Sequence, residues 1–183
     1  VMTGLGVGPH HIETVVGVVK AYQTRVGAGP MPTELTGALG DRMRGTGDQP
    51  WDEFGTTTGR PRRCGWLDAV ALQYAQRING LTEMAVTKLD ILSRFETLQI
   101  CIAYELDGER VATFPADLDV LARCEPVYET LPGWGEDISS ARTFGDLPPE
   151  ARDYIRRVEA LAGIPATYIG VGPGRMQTII REM

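Results

Sequence analysis

Apolar and polar positions alternate along this chain in a way that predicts short strands and helices in turn. Residues 66–79 carry apolar side chains at 67, 70, 71, 74, 75 and 78, the spacing of one helical face, and Asn79-Gly80 supplies a stop. A second helix is predicted from Pro148 to Ala162, with apolar residues at 151, 154, 155, 158, 161 and 162 and Gly163-Ile164-Pro165 at its end. Met84-Ala85-Val86-Thr87 reads as a short buried strand and Leu98 to Tyr104 as another. Asp107-Gly108 marks a hairpin before Val111-Ala112-Thr113-Phe114, and Ala166 to Ile169 reads as the last core strand. Between Ile12 and Tyr22 the β-branched run fits a short helix followed by a buried strand. Residues 1–10 read as a Gly-rich loop, Gly27 to Pro32 breaks regular structure, and 36–55 reads as a long, polar, mobile loop. Helices alternating with short strands imply an α/β fold of mixed α+β character, with no internal repeat.

Composition narrows the picture. A chain of 183 residues with 43% hydrophobic and 23% charged residues can bury a core of its own. No apolar run reaches the roughly 18 residues of a membrane span, and no secretory signal is visible at the N-terminus. Three dispersed cysteines and two adjacent histidines, His10 and His11, build neither a zinc pattern nor a disulfide framework. These features predict a cytoplasmic protein with reduced thiols and no metal ligands of its own. The net charge of −6 argues against a nucleic-acid partner, although local clusters can still take small anions.

Four segments carry candidate chemistry. Thr56-Thr57-Thr58-Gly59-Arg60-Pro61-Arg62-Arg63 places hydroxyls beside guanidiniums, between glycines that allow close backbone approach. Guanidinium forks match carboxylate or phosphate, so the stretch fits a dianion, and running straight into a helix at 66 would add the helix N-terminus to the site. A solvated basic loop is the competing reading. Lys88-Leu89-Asp90 follows a strand, where a carboxylate can accept both N1–H and the N2 amino group of guanine while the lysine stem lies along the base. A surface lysine with a helix-capping aspartate would look the same. Lys20 and Lys88 are the only lysines, against 16 arginines, so Lys88 stands out from a strong bias. Gly170-Val171-Gly172 after the last strand fits a backbone-lined crevice or a plain turn. The stretch from Lys20 to Pro30 leads from a strand into a Gly-rich bend against which a ribose could pack. No Walker-type phosphate loop is present.

Taken in order, these segments resemble adenylosuccinate synthetase. Val19 to Pro30, Thr57 to Val70, Leu81 to Asp90, Cys124 to Trp134 and Val171 to Pro173 carry the resemblance, which extends over essentially the whole chain. It points to the C-terminal part of the family's polypeptide, with ligand loops over 27–65 and the guanine-binding α/β part over 66–183. The phosphate loop, catalytic histidine and Mg²⁺ ligands would lie elsewhere. The family joins IMP to aspartate with GTP and Mg²⁺ in AMP biosynthesis and is typically a cytoplasmic homodimer. The resemblance implies that Thr56, Thr57, Thr58, Gly59, Arg60, Pro61 and Arg62 form the aspartate loop. Arg60 would lie between aspartate and IMP, and Val26 and Gly27 would lie against the IMP ribose. Arg62, Lys88, Leu89, Asp90, Gly170, Val171 and Gly172 would hold GTP. The family often has a hydroxyl residue where Gly170 stands, so only backbone contact is expected there. These residues alone are expected to be inactive as a ligase. The alternatives are a non-catalytic guanine-nucleotide-binding module and, more weakly, an RNA-binding module.

Overall fold

The computed structural model describes residues 2–181, and its elements follow the chain as short strands and helices. Helix α1 spans Met2–Leu5, strand β1 Val16–Lys20, β2 Gln23–Arg25 and helix α2 Gly37–Arg44. Strands β3 (Arg63–Gly65) and β4 (Leu67–Asp68) precede helix α3 (Ala69–Asn79) and strand β5 (Glu83–Thr87). Then come β6 (Thr97–Leu106), β7 (Glu109–Val111), helix α4 (Leu118–Leu121) and β8 (Glu125–Pro132). Helix α5 (Pro149–Ala162), β9 (Ala166–Gly170) and β10 (Thr178–Ile180) complete the set.

Three sheets result. The first has the order β1-β5-β9-β10, in which β1, β5 and β9 run parallel and β10 returns antiparallel. The second is the ribbon β2-β3, and in the third β6 lies between β4 and β8 while also pairing β7. The mixed α/β architecture agrees with the sequence expectation. A continuous core joins Trp66, Met84, Val86, Leu89, Leu92, Ile155, Val158, Ile169 and Val171 between sheet and helices. Tyr104, Cys101, Leu121 and Val70 form a smaller cluster.

Several boundaries differ from the sequence pattern, each for a physical reason. Residues 2–5 and 9–11 are helical turns instead of plain loop. No helix forms over 12–15, and β1 is an edge strand with Val18 76% exposed, not a buried one. The supposed loop over 36–55 contains α2, whose Gly40 packs so closely on Leu35 that a Cβ there would sit 2.3 Å from its carbonyl oxygen. Helix α3 begins at Ala69, three residues late, because Trp66 to Asp68 are extended and Leu67 pairs with Ile100. Asp68 caps it, its Oδ1 accepting the Ala71 N–H at 3.0 Å, and Gly80 in the left-handed region ends it. The hairpin at Asp107-Gly108 is present, with both residues at positive φ as a type I′ turn requires. Its second strand ends at Val111, short of Phe114. Ala166 begins a core strand but not the last one, since β10 follows.

Candidate functional site: two clefts and a buried carboxylate

Parallel pairing brings three candidate segments to one edge of the first sheet. Lys20 ends β1 opposite Thr87, Lys88 follows β5, and Gly170 ends β9, so all three leave their strands at the same C-terminal margin. Ligands commonly sit at that margin of a parallel sheet, where loops diverge. Lys88 itself has φ 60, a left-handed turn that sends the chain sharply into the 3₁₀ turn Leu89–Arg94. Gly170 packs beside the end of β5, where a Cβ would make ordinary contact with the Thr87 Cα at 3.4 Å.

Two clefts open beside this margin. One of about 550 Å³ is lined by Lys20, Tyr22, Thr24, Arg25 and Pro32 on one side and by Leu67, Asp68, Ala71 and Phe114 on the other. The second, of about 660 Å³, is lined by Trp51, Asp52, Asp90, Ser139, Gly172 and Pro173, among others. Asp90 is half-buried there. Burial pushes its carboxyl above the ordinary range, Asp137 adds to that, and its own N–H and the Lys88 charge oppose it.

Between the clefts lies Glu53, with its side chain 1% exposed. Lys20 Nζ donates to Oε1 and Oε2 at 2.8 and 2.9 Å, Lys88 Nζ to Oε1 at 2.6 Å, Arg62 Nη1 to Oε2 at 2.9 Å, and Tyr22 Oη to Oε1 at 2.8 Å. Both lysines of the sequence therefore meet on one carboxylate. Burial alone would raise the Glu53 pKa, but the hydrogen bonds from Lys20, Lys88 and Tyr22 and the Lys20 charge outweigh it and hold the group at about 2. Lys20 moves down from its ordinary value because burial outweighs the pull of Glu53, and burial beside Glu53 raises the Tyr22 hydroxyl. The Glu53 main chain is fixed as well: its N–H donates to Arg44 O at 2.8 Å, and its carbonyl accepts the Arg62 N–H at 2.9 Å. Sequence reasoning missed Glu53, placing it in a mobile loop. The signal available was a lone glutamate two residues before the Gly-Thr-Thr-Thr stretch in a chain with only two lysines.

The predicted aspartate loop is a turn closed by the Phe54↔Pro61 bridge and by the Gly55 N–H on Arg60 O at 2.9 Å. Its tip, Thr56, Thr57, Thr58, Gly59 and Arg60, is exposed, and the Arg60 N–H reaches Thr58 Oγ1 at 3.4 Å. The three guanidiniums go to different places. Arg60 points to solvent, Arg62 turns inward to Glu53, and Arg63 grips Glu34 in a bidentate pair at 2.8 and 2.5 Å. Two strands separate this loop from α3, so the helix N-terminus does not adjoin it as the sequence suggested.

Val26 and Gly27 lie on an exposed bend held by arginines. Arg63 Nη1 donates to Gly27 O and Gly29 O, and Arg25 to Ala28 O and Pro30 O. Leu89 and Val171 are core residues, so their side chains are turned away from either cleft, and the Val171 N–H is taken by Gln177 O. Gly172 lines the second cleft with Asp90, while Gly170 packs beneath it. His10 and His11 lie on an exposed turn away from both clefts.

The fold and charge layout define a mixed α/β protein with two clefts, one bearing Lys20 and the other Asp90, at the C-terminal ends of parallel strands. The family description of adenylosuccinate synthetase matches residues 1–179. The adenylosuccinate synthetase of Moorella thermoacetica is 58% identical over 179 residues, and that of Alkaliphilus metalliredigens 56% over 179, each match covering 98% of this chain and 41% of the relative. A solved structure, described as a fully ligated adenylosuccinate synthetase from Plasmodium falciparum, superposes with a TM-score of 0.91 at 42% identity, covering 99% of this chain and 43% of that one. The chain belongs to the adenylosuccinate synthetase family and spans about two fifths of the length of the curated relatives it matches.

Proposed function

We propose that these residues supply the aspartate- and guanine-binding elements of a GTP-dependent ligase that joins IMP and L-aspartate to give adenylosuccinate in AMP biosynthesis. The observation that carries this reading is Asp90, a half-buried carboxylate facing a cleft at the end of β5, beside Lys88 and opposite Gly172. Ionised, it accepts the N1–H and N2 amino hydrogens of guanine, which adenine does not present in that arrangement. The Lys88 ammonium is occupied by Glu53 and by Trp51 O at 2.7 Å, so its part in base binding falls to its aliphatic stem.

The chemistry asks little acid–base work of these residues. A purine 6-oxygen leaves poorly until phosphorylated, and GTP supplies the phosphoryl group. The aspartate amine then displaces the phosphorylated oxygen. The Thr56–Arg62 loop would hold the two aspartate carboxylates, with Arg60 free to swing onto them and towards IMP, beside which Val26 and Gly27 would stand. Among the described residues no group of three or more His, Cys, Asp or Glu could hold a metal ion. None of the steps assigned to them runs through Mg²⁺. No helix among them is long and apolar enough to cross a membrane. A cytoplasmic homodimer without nucleic-acid partners belongs to the same proposal.

The test replaces Asp90 by Asn in the complete polypeptide encoded by this reading frame, with adenylosuccinate formation as readout. Asparagine offers one acceptor and one donor, so kcat/KM with GTP should fall about 100-fold, a loss of roughly 3 kcal/mol. Activity with xanthosine triphosphate, which carries a C2 carbonyl, should rise. An unchanged preference for GTP would overturn the assignment. Guanine preference with no turnover in the wild type would favour the non-catalytic binding module. Placement in the C-terminal part of a synthetase is supported by the order of the motifs. The coding DNA tests it: a glycine-rich phosphate loop should be encoded upstream of Val1, and one encoded downstream of Met183 would reverse the placement.

A further inference from the structure

We infer that Glu53 is a positioning residue that couples the guanine cleft to the aspartate loop, so that the state of one sets the affinity of the other. The inference rests on the function proposed above and goes beyond it, because Glu53 is not among the residues that line either cleft. Its carboxylate accepts from Lys88, whose ammonium also donates to the carbonyl of Trp51 on the wall of the second cleft, from Arg62 at the base of the Thr56–Arg62 loop, and from Lys20 and Tyr22, which line the first cleft. Three cations and one hydroxyl share the two oxygens of a side chain that is 1% exposed. A shift of any one donor must therefore be taken up by the others.

The ionic balance around Glu53 points the same way. Lys20, Lys88 and Arg62 bring three positive charges to the one negative charge of Glu53, and with Asp90 acting on Lys88 an excess of one remains in a half-buried setting. Such an excess is relieved when anionic ligands enter the flanking clefts, and Glu53 holds the cations at fixed separations until then. Arg62 Nε is buried without a partner, so the guanidinium spans the gap from Glu53 by one nitrogen only and keeps donor capacity unspent. Lys88 is tied by its ammonium to Trp51 O, on the wall of the second cleft, as well as to Glu53. Guanine binding along the Lys88 stem thus loads a linkage that ends at the loop holding Arg62.

The experiment uses the complete polypeptide and compares Lys88→Met, Glu53→Gln, Glu53→Asp and the Lys88→Met/Glu53→Gln pair. Steady-state KM values for aspartate and for GTP are measured, with a thermal melt for each variant. Among the described residues the Lys88 ammonium hydrogen-bonds to Glu53 and Trp51 O and not to the Thr56–Arg62 loop, yet Lys88→Met should raise the aspartate KM about tenfold. Glu53→Gln should raise both KM values by a similar factor. The double variant should show no further rise in aspartate KM, because the linkage is already cut. Glu53→Asp keeps the charge and should recover part of the loss. A role confined to stability would lower the melting temperature with both KM values intact, and that result overturns the inference. So would additive effects in the double variant. An active wild type with independent KM values sinks the coupling alone, whereas a wild type that forms no adenylosuccinate sinks the ligase reading and the coupling with it.

Discussion

Asp68 shows how much a single buried carboxylate asks of its neighbours. It is 2% exposed, caps α3 through the Ala71 N–H, and accepts the Tyr104 hydroxyl at 2.5 Å. Burial raises its pKa above the ordinary value, opposed by the Tyr104 hydroxyl and the Ala71 and Val70 N–H groups. A raised carboxyl pKa favours the fold below the unfolded value and loses that contribution as pH rises through the folded one. Tyr104→Phe removes the strongest support of the ionised form, so it should cost about 1–3 kcal/mol at pH 7 and less at pH 4, as read by urea unfolding. Glu53 behaves in the opposite sense. Held at about 2, it contributes stability above the unfolded value of 4.5 that is lost as pH falls towards 2. Glu53→Gln should therefore destabilise the protein by about 3 kcal/mol near neutral pH and approach wild type near pH 2, in the same unfolding assay. A gap that stayed constant with pH would show that charge is not what Glu53 contributes.

At the scale of elements, the ribbon β2-β3 carries both of the loops proposed to meet IMP and aspartate. Residues 26–30 leave β2, and the Thr56–Arg62 turn enters β3. Gly65 allows the segment around Thr33 to pack on β3, because a Cβ there would sit 2.3 Å from the Thr33 carbonyl oxygen. Arg63 ties the ribbon to the bend through Gly27 O, Gly29 O and Glu34. A lysine in its place would keep one charge but lose the fork, so Arg63→Lys should speed proteolysis within 26–30 about tenfold under native conditions. An unchanged cleavage rate would show that Arg25 alone holds the bend. How legible these elements are depends on where their order comes from. Helices α3 and α5 and strands β5 and β9 announce themselves, because burial of one face writes a period into the sequence. Helix α2 does not, since Gly37 and Gly40 lower its propensity and only Gly40 and Met43 are buried. Its order comes from packing on β3, a tertiary effect. The motifs around Asp90, Arg60 and Gly172 are readable as chemistry, yet the convergence of Lys20, Arg62 and Lys88 on Glu53 joins residues 33, 9 and 35 positions away from it. No local pattern encodes such a meeting.

The molecule as a whole bears an edge that asks for a neighbour. Strand β1 pairs with β5 on one side only, and its outer side presents unpaired backbone groups together with Val16 and Val18, both exposed. No proline, bulge or charge interrupts Val16 to Val19; Lys20, at the end, is drawn inward to Glu53. Such a strand is a template for further pairing, and natural edges usually carry a device against it. The relatives are more than twice as long as the matched stretch, so additional chain is available in them to cover this margin. These 183 residues expressed alone should accordingly associate, through β1, into species whose sedimentation coefficient rises with concentration. Val18→Lys places a charge at the most exposed apolar position of the strand, 76% accessible, outside the buried core although on the rim of the first cleft. It should restore a concentration-independent monomer while leaving helical content unchanged by circular dichroism. If Val18→Lys sediments like the wild type, association runs through another surface, and the β10 edge, with Ile180 exposed, becomes the next candidate.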